Sequence, residues 1–319
     1  MTSPITHHAP KHAALAQVRV GSAPDSWGVW FPDDPRQVHW SRFLDEIAEA
    51  GYEWLELGPY GYLPTDPAAL AAELGQRGLK MSAGTVGGAL HRAEEYAGVR
   101  EEALRVAGLA AAAGASYLVF LPAMYRDLMT GASLEPAELD ADGWKRLTGS
   151  VEELARTVCG EHGVRLLLHP HADSHVETQA QTERFLSDTD PALVGLCLDT
   201  GHIAYRRGDN AELLRRFPER VEYVHFKQVD PVVLDEVERE NLPFAEAVTR
   251  GAVCEPPKGV PSLESLADGL AGLAPDVFVI VEQDMYPCPP DQPLPIATRT
   301  CGYLRGSGLG SAARRAGRG

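Results

Sequence analysis

What most constrains this chain is a repeat. Eight short, nearly unbroken apolar runs occur at residues 18–22, 52–57, 79–83, 116–121, 164–169, 194–199, 221–227 and 277–282. A strand buried on both faces reads this way, whereas a half-exposed strand alternates apolar with polar. Stretches of helical spacing lie between the runs. Trp40, Phe43, Leu44 and Ile47 recur at three- and four-residue intervals, as do Val151, Leu154, Ala155 and Val158. Thr65 is the expected N-cap of a further helix, with Pro67 in its first turn and Gly78 past its end. Gly51, Gly78, Gly114 and Gly163 each stand just ahead of a run, where a glycine after a helix turns the chain through the left-handed conformation.

Eight strands alternating with about eight helices predict an α/β fold, a (β/α)8 TIM barrel in a single domain. The competing doubly wound sheet usually carries an early phosphate loop. Neither GxGxxG after the first run nor GxxxxGK[ST] anywhere is found. The stretch between Lys227 and Val277 is too long for one βα unit, which predicts a helical insertion after strand seven, near residues 232–248, over the barrel mouth. The expected organisation is a disordered N-terminal segment at 1–17, the barrel at 18–304, and a flexible tail rich in Gly, Ala and Arg at 305–319.

Charge and cysteine usage narrow the function. The 29 Lys and Arg against 45 Asp and Glu give −16, a surface that repels phosphate backbones, so nucleic acid is not an expected partner. No apolar stretch approaches the ~18 residues needed to span a bilayer, so no membrane is expected either. Five cysteines, widely spread and without a CxxC pair, fit reduced thiols, and the first residues lack the pattern of a secretory leader. The expected location is the cytoplasm.

In a barrel, chemistry belongs to the C-terminal strand ends. Asp25 and Trp27 follow the first run and Glu56 ends the second. His169 and His171 follow the fifth, Asp199 and His202 the sixth, His225 and Lys227 the seventh, Glu282 and Asp284 the eighth. Each has a plainer reading: Asp199 as a helix cap, His225 as a buried hydrogen-bonded ring, Lys227 as a rim ion pair, Trp27 as packing, Asp25 as a turn residue. Glu282 resists one, because a carboxylate behind a buried apolar strand needs a cation, a donor cluster or a raised pKa. Histidine, aspartate, histidine and glutamate from four strands form a mixed nitrogen and oxygen shell, which suits Mn2+, Zn2+, Co2+ or Fe2+ better than Ca2+ or Mg2+.

LDTGH, VHFK and VEQD resemble the sixth-, seventh- and eighth-strand motifs of the xylose isomerase-like TIM barrel superfamily of sugar isomerases, epimerases, dehydratases and endonucleases. GSAPDSWGVW, ELGPYGYLP, SAGTVGGALH, HPHADSHVET and EQDMYPCPPD resemble its myo-inosose dehydratase branch, and the similarity runs from about Val18 to Leu304. The resemblance implies metal positions at His169, Asp199, His225 and Glu282, with His171 as the alternative to His169. It implies one divalent ion, Mn2+ foremost. The implied reaction removes water from a cyclic keto-polyol through a metal-stabilised enediolate, a step of inositol catabolism. Glu282, His202, His171 and Lys227 are the expected catalytic groups; Trp27, Glu56 and Asp25 are expected to bind substrate. One departure matters: related epimerases carry a fifth-strand Glu where this chain has His169, which leaves a single base, enough for elimination. Strands three and four lack the histidines of the three-metal phosphodiesterases. A keto-sugar isomerase or epimerase on the same metal site is the alternative, and a non-catalytic sugar- or metal-binding subunit a further one. The expected partner is a small polyol or sugar, and a homo-oligomer is compatible with all of this.

Overall fold

Each apolar run becomes one stave of a closed barrel. A computed structural model describes residues 8–311 and gives β1 (Arg19–Ser22), β2 (Trp54–Glu56), β3 (Lys80–Gly88), β4 (Tyr117–Pro122), β5 (Arg165–Leu168), β6 (Val194–Asp199), β7 (Val221–Phe226) and, after the short β8 (Gln228–Val229) and β9 (Val253–Cys254), β10 (Phe278–Val281). The barrel closes in the order β1-β10-β7-β6-β5-β4-β3-β2, and all of its ladders are parallel. Around it run α1 (His8–Gln17), α2 (Trp40–Ala50), α3 (Pro67–Arg77), α4 (Tyr96–Ala112), α5 (Ala141–His162), α6 (Gln179–Asp188), α7 (Thr200–Tyr205), α8 (Asn210–Arg216), α9 (Pro231–Glu240), α10 (Phe244–Thr249), α11 (Leu263–Ala271) and α12 (Pro293–Gly306).

Local chemistry explains the turns. Gly51, Gly78, Gly114 and Gly163 all have positive φ, as expected where a helix hands over to a strand. The α3 cap is Asp66, whose side chain accepts from the Ala69 N–H, and not Thr65. Pro67 occupies the first helical position, so the capping residue must be the one directly before it.

The two-residue period of a strand then sorts each side chain. Inward-facing Val119, Leu167, Cys197, Tyr223, Phe278 and Ile280 pack into the barrel interior, and a larger core between strands and helices takes the others. Two residues on from these inward positions come His169, Asp199, His225 and Glu282. The alternation that fills the barrel thus also aims its strand ends at one point.

The expected insertion is present as α9 and α10, with β8 and β9 paired antiparallel at its base. Its apolar faces form a separate core in which Leu234, Val237 and Phe244 pack with Ala172 and Tyr205, so the insertion sits over the mouth.

The ends differ from expectation. Residues 1–17 include α1, and α12 continues past 304 to Gly306. Leu15 and Leu309 are buried, and the Gly310 N–H donates to the Leu15 carbonyl (3.0 Å). A few well-placed leucines pin segments whose average composition reads as loose. Residues 1–7 and 312–319 lie outside the described residues. Among the described residues no helix is long and apolar enough to cross a membrane.

Candidate active site

The ends of β5, β6, β7 and β10 bring four ligand-type side chains together. Donor atoms of His169, Asp199, His225 and Glu282 all lie within 4.8 Å of one another. Asp199 Oδ2 is 3.4 Å from His169 Nε2 and 3.7 Å from His225 Nδ1, and Glu282 Oε2 is 3.0 Å from His225 Nδ1. His171 is not in this group. β5 ends at Leu168 and Pro170 cannot extend the ladder, so His171 sits in the following loop with Nδ1 against the Ala172 carbonyl (2.7 Å).

Asp199 is the helix cap weighed for it, and its second oxygen is turned into the cluster. Its Oδ1 caps α7 by accepting from the His202 N–H (2.7 Å), while Oδ2 is buried and makes no hydrogen bond. Glu56 is placed differently from the other strand ends. Its Oε1 accepts from His225 Nε2 (2.7 Å) and its Oε2 from Thr85 Oγ1 (3.2 Å), so it fixes the imidazole ring from behind. That bond turns Nδ1 toward Asp199 and Glu282. Burial opposes charge on the ring, but Cys197, Glu282 and Glu56 raise its pKa well above the ordinary imidazole value, so Nδ1 holds a proton that a bound cation would displace. A histidine held by a carboxylate on one nitrogen with the other aimed into the cluster is the usual arrangement behind a metal ligand. Nδ1 of His225 and Oδ2 of Asp199, buried without a hydrogen bond, fit a divalent cation together with the donors of His169 and Glu282. Cys197, one inward position below Asp199, also lies beside His169 and His225. Burial pushes its thiol up to about 12, so it keeps its proton and is a poor ligand.

Lys227 enters the same cluster. Its Nζ lies 2.9 Å from Asp284 Oδ2, 3.1 Å from Glu282 Oε2, 3.2 Å from Asp199 Oδ2 and 3.2 Å from His202 Nε2. Burial works against its charge, but Asp199, Asp284 and Glu282 together raise its pKa well above the ordinary lysine value. Gly201 makes room for it: a Cβ there would come within 2.4 Å of the Lys227 stem. Burial, then Glu282 and Asp284, raise Asp25, whereas burial followed by His171 and Lys227 lowers His202. Burial, helped by His169, lowers His171 to about 3, so both of these rings are neutral.

Above the cluster opens a cavity of about 370 Å3, lined among others by Asp25, Trp30, Glu56, His171, Lys227 and Phe244. Trp27, expected to face a ligand, does not line it. Its ring is buried edge-on against Phe43 and its Nε1 donates to Glu46 (2.8 Å), on the helix side of the barrel. Trp30 takes that place, stacked on Tyr286 (4.8 Å) with its Nε1 donating to Asp284 Oδ1 (3.2 Å). The intervening Gly28, at positive φ, turns the chain between the two tryptophans.

Known proteins share this frame. Residues 44–293 match the family described as xylose isomerase-like TIM barrel. The chain is 32% identical over 282 residues to the inosose dehydratase of Geobacillus kaustophilus (strain HTA426), spanning 84% of this chain and 88% of that one. It is 26% identical over 274 residues to the inosose dehydratase of Lacticaseibacillus casei, spanning 85% and 91%. The zinc-bound IOLI protein superposes with a TM-score of 0.69 at 17% identity, over 91% of this chain and 98% of that one. At that identity the likeness is one of fold.

Proposed function

This chain is an enzyme that belongs to the xylose isomerase-like TIM barrel family, and on that premise we propose that it removes water from a cyclic keto-polyol of the inosose kind. The observation that carries the reading is the convergence of His169, Asp199, His225 and Glu282 beneath a cavity at the barrel mouth, in a chain 32% identical to an inosose dehydratase. These four side chains would hold one divalent ion, with Mn2+ the first choice among Mn2+, Co2+, Zn2+ and Fe2+. The ion supplies Lewis acidity toward the ketone and its neighbouring hydroxyl, which acidifies the α-C–H.

The protein's own groups do the rest. His225 and Lys227 hold the Glu282 carboxyl well below the ordinary range against the opposing effect of burial, so an ionised carboxylate is available to take the α-proton. The Lys227 ammonium, 3.1 Å away, gives its proton to the departing β-hydroxyl, which leaves as water. Passage of the proton from Glu282 to Lys227 restores both groups. Neutral His171, whose Nδ1 faces the Ala172 carbonyl, accepts a hydrogen bond from a substrate hydroxyl through Nε2. His202, accepting from the Ala172 N–H on Nδ1 and facing Lys227 with Nε2, positions that lysine. Asp25, raised by burial, binds a further hydroxyl. Glu56 acts through His225. Trp30 presents an apolar face to the ring, beside Phe244 of the insertion.

Incubation with inososes, followed by mass and absorbance, tests the reading. Loss of one water and growth of an absorbing enone or dione is expected. Retained mass with uptake of solvent deuterium would instead establish the isomerase or epimerase alternative. Trp30→Ala is expected to raise KM about two- to tenfold, from the ~0.5–1.5 kcal/mol of an aromatic contact. Trp27→Ala is expected to lower stability by about 3–5 kcal/mol in a denaturant titration while KM holds. The reaction needs only a small polyol as partner, and we place it in the cytoplasm.

A further inference from the structure

A second cavity, of about 500 Å3, lies apart from the first and shares none of its lining residues. His91 and Glu135 line it, and a third loop brings a second histidine, His175, against the same carboxylate from the buried side. His91 follows β3, Glu135 lies between β4 and α5, and His175 lies between β5 and α6. Their donor atoms all fall within 4.8 Å of one another. Glu135 Oε2 is 2.9 Å from His91 Nε2, and Oε1 is 3.1 Å from His175 Nε2. The two imidazole side chains are 6% and 0% exposed.

The hydrogen-bond accounting at His175 points to a missing partner. Its Nδ1 faces the Ala137 carbonyl (3.2 Å), which can only accept, so Nδ1 carries a proton. Nε2, buried and 3.1 Å from Glu135 Oε1, makes no hydrogen bond. A buried ring nitrogen aimed at a carboxylate without a hydrogen bond between them is a place for a cation. We propose that His91, Glu135 and His175 form a second cation site, for a borderline divalent ion of the zinc type, that ties the loops after β3, β4 and β5 together.

Two imidazoles and a carboxylate are a zinc-type donor set that leaves a fourth position open. Ligand bonds of about 2.0–2.1 Å put tetrahedral neighbours roughly 3.4 Å apart, and the imidazole–carboxylate approaches of 2.9 and 3.1 Å are of that order. Arg92 pairs with Glu135 Oε1 (3.0 Å), but its side chain is 41% exposed, so it stands on the solvent side of the carboxylate and leaves the buried side to the histidines. Arg146 Nε donates to the His91 carbonyl (3.0 Å) and steadies the β3 loop. Glu94, Glu138 and Asp140 line the same cavity and give a cation an acidic approach.

The test is Zn2+ stoichiometry of the full-length protein by equilibrium dialysis and metal analysis, for the wild type and for His175→Ala and Glu135→Gln. Each variant is expected to bind one equivalent per chain fewer than the wild type and to lose part of the Zn2+-dependent rise in Tm, with inosose turnover kept. The difference between proteins is the readout, so it holds whatever the barrel site binds. Equal stoichiometry in wild type and folded variants overturns the proposal. Should the variants fail to fold, anomalous diffraction from Zn2+-soaked wild-type crystals decides: a peak among the three side chains supports the site, and none there overturns it.

Discussion

Glu282→Ala is expected to lower kcat by about 10³-fold, the middle of the range for loss of a general base, while the barrel stays folded. The carboxylate stands at the end of β10, within 3.0 Å of His225 Nδ1 and 3.1 Å of Lys227 Nζ. Its removal takes away a ligand-type oxygen and the proposed proton acceptor at once. Divalent metal per chain, read by metal analysis after gel filtration, is expected to fall together with kcat. Chelation of the wild type should reproduce the loss, and added Mn2+ should restore the wild type but not the variant. Wild-type turnover by a folded Glu282→Ala protein would sink the site as drawn.

Lys227→Met is expected to separate the proton donor from the ion. Methionine keeps the length and apolar stem but removes the ammonium that faces Asp199, Glu282 and Asp284. A fall in kcat of about 10²–10⁴-fold is expected, with metal content kept, because none of the four ligand-type side chains is touched. Gly201→Ala should act in the same direction, since its new Cβ collides with the Lys227 stem. A Lys227→Met protein that turns over normally would remove Lys227 from the mechanism. One that loses its metal would make it a structural support of the ligands.

Much of this architecture is legible in the sequence because burial on both faces leaves a one-dimensional trace. A parallel strand covered by helices outside and packed inside must be apolar throughout, and eight such runs with glycine-terminated helices between them leave few alternatives to a barrel. The same logic exposes the site. Polar side chains directly behind such runs, as in LCLDT and VIVEQ, stand out against the strand that carries them. Their period-two relation to the inward core positions aims them at the barrel axis.

Choices that depend on contacts between distant segments left no such trace. Spacing alone allows His169 or His171 in the cluster; the end of the β4–β5 ladder at Pro170 selects His169. Trp27 and Trp30 read alike in sequence, and only the turn through Gly28 sends one into the α2 core and the other to the mouth. That Glu56 supports His225 from 169 residues away, and that the donor atoms of His91, Glu135 and His175 meet within 4.8 Å, follows from closure of the barrel. The sequence by itself determined which residues stand at strand ends and which face inward, because local periodicity and burial act along the chain. Tertiary structure alone decided which nitrogen meets which carboxylate, because those distances are set by how eight strands close and how the loops above them pack.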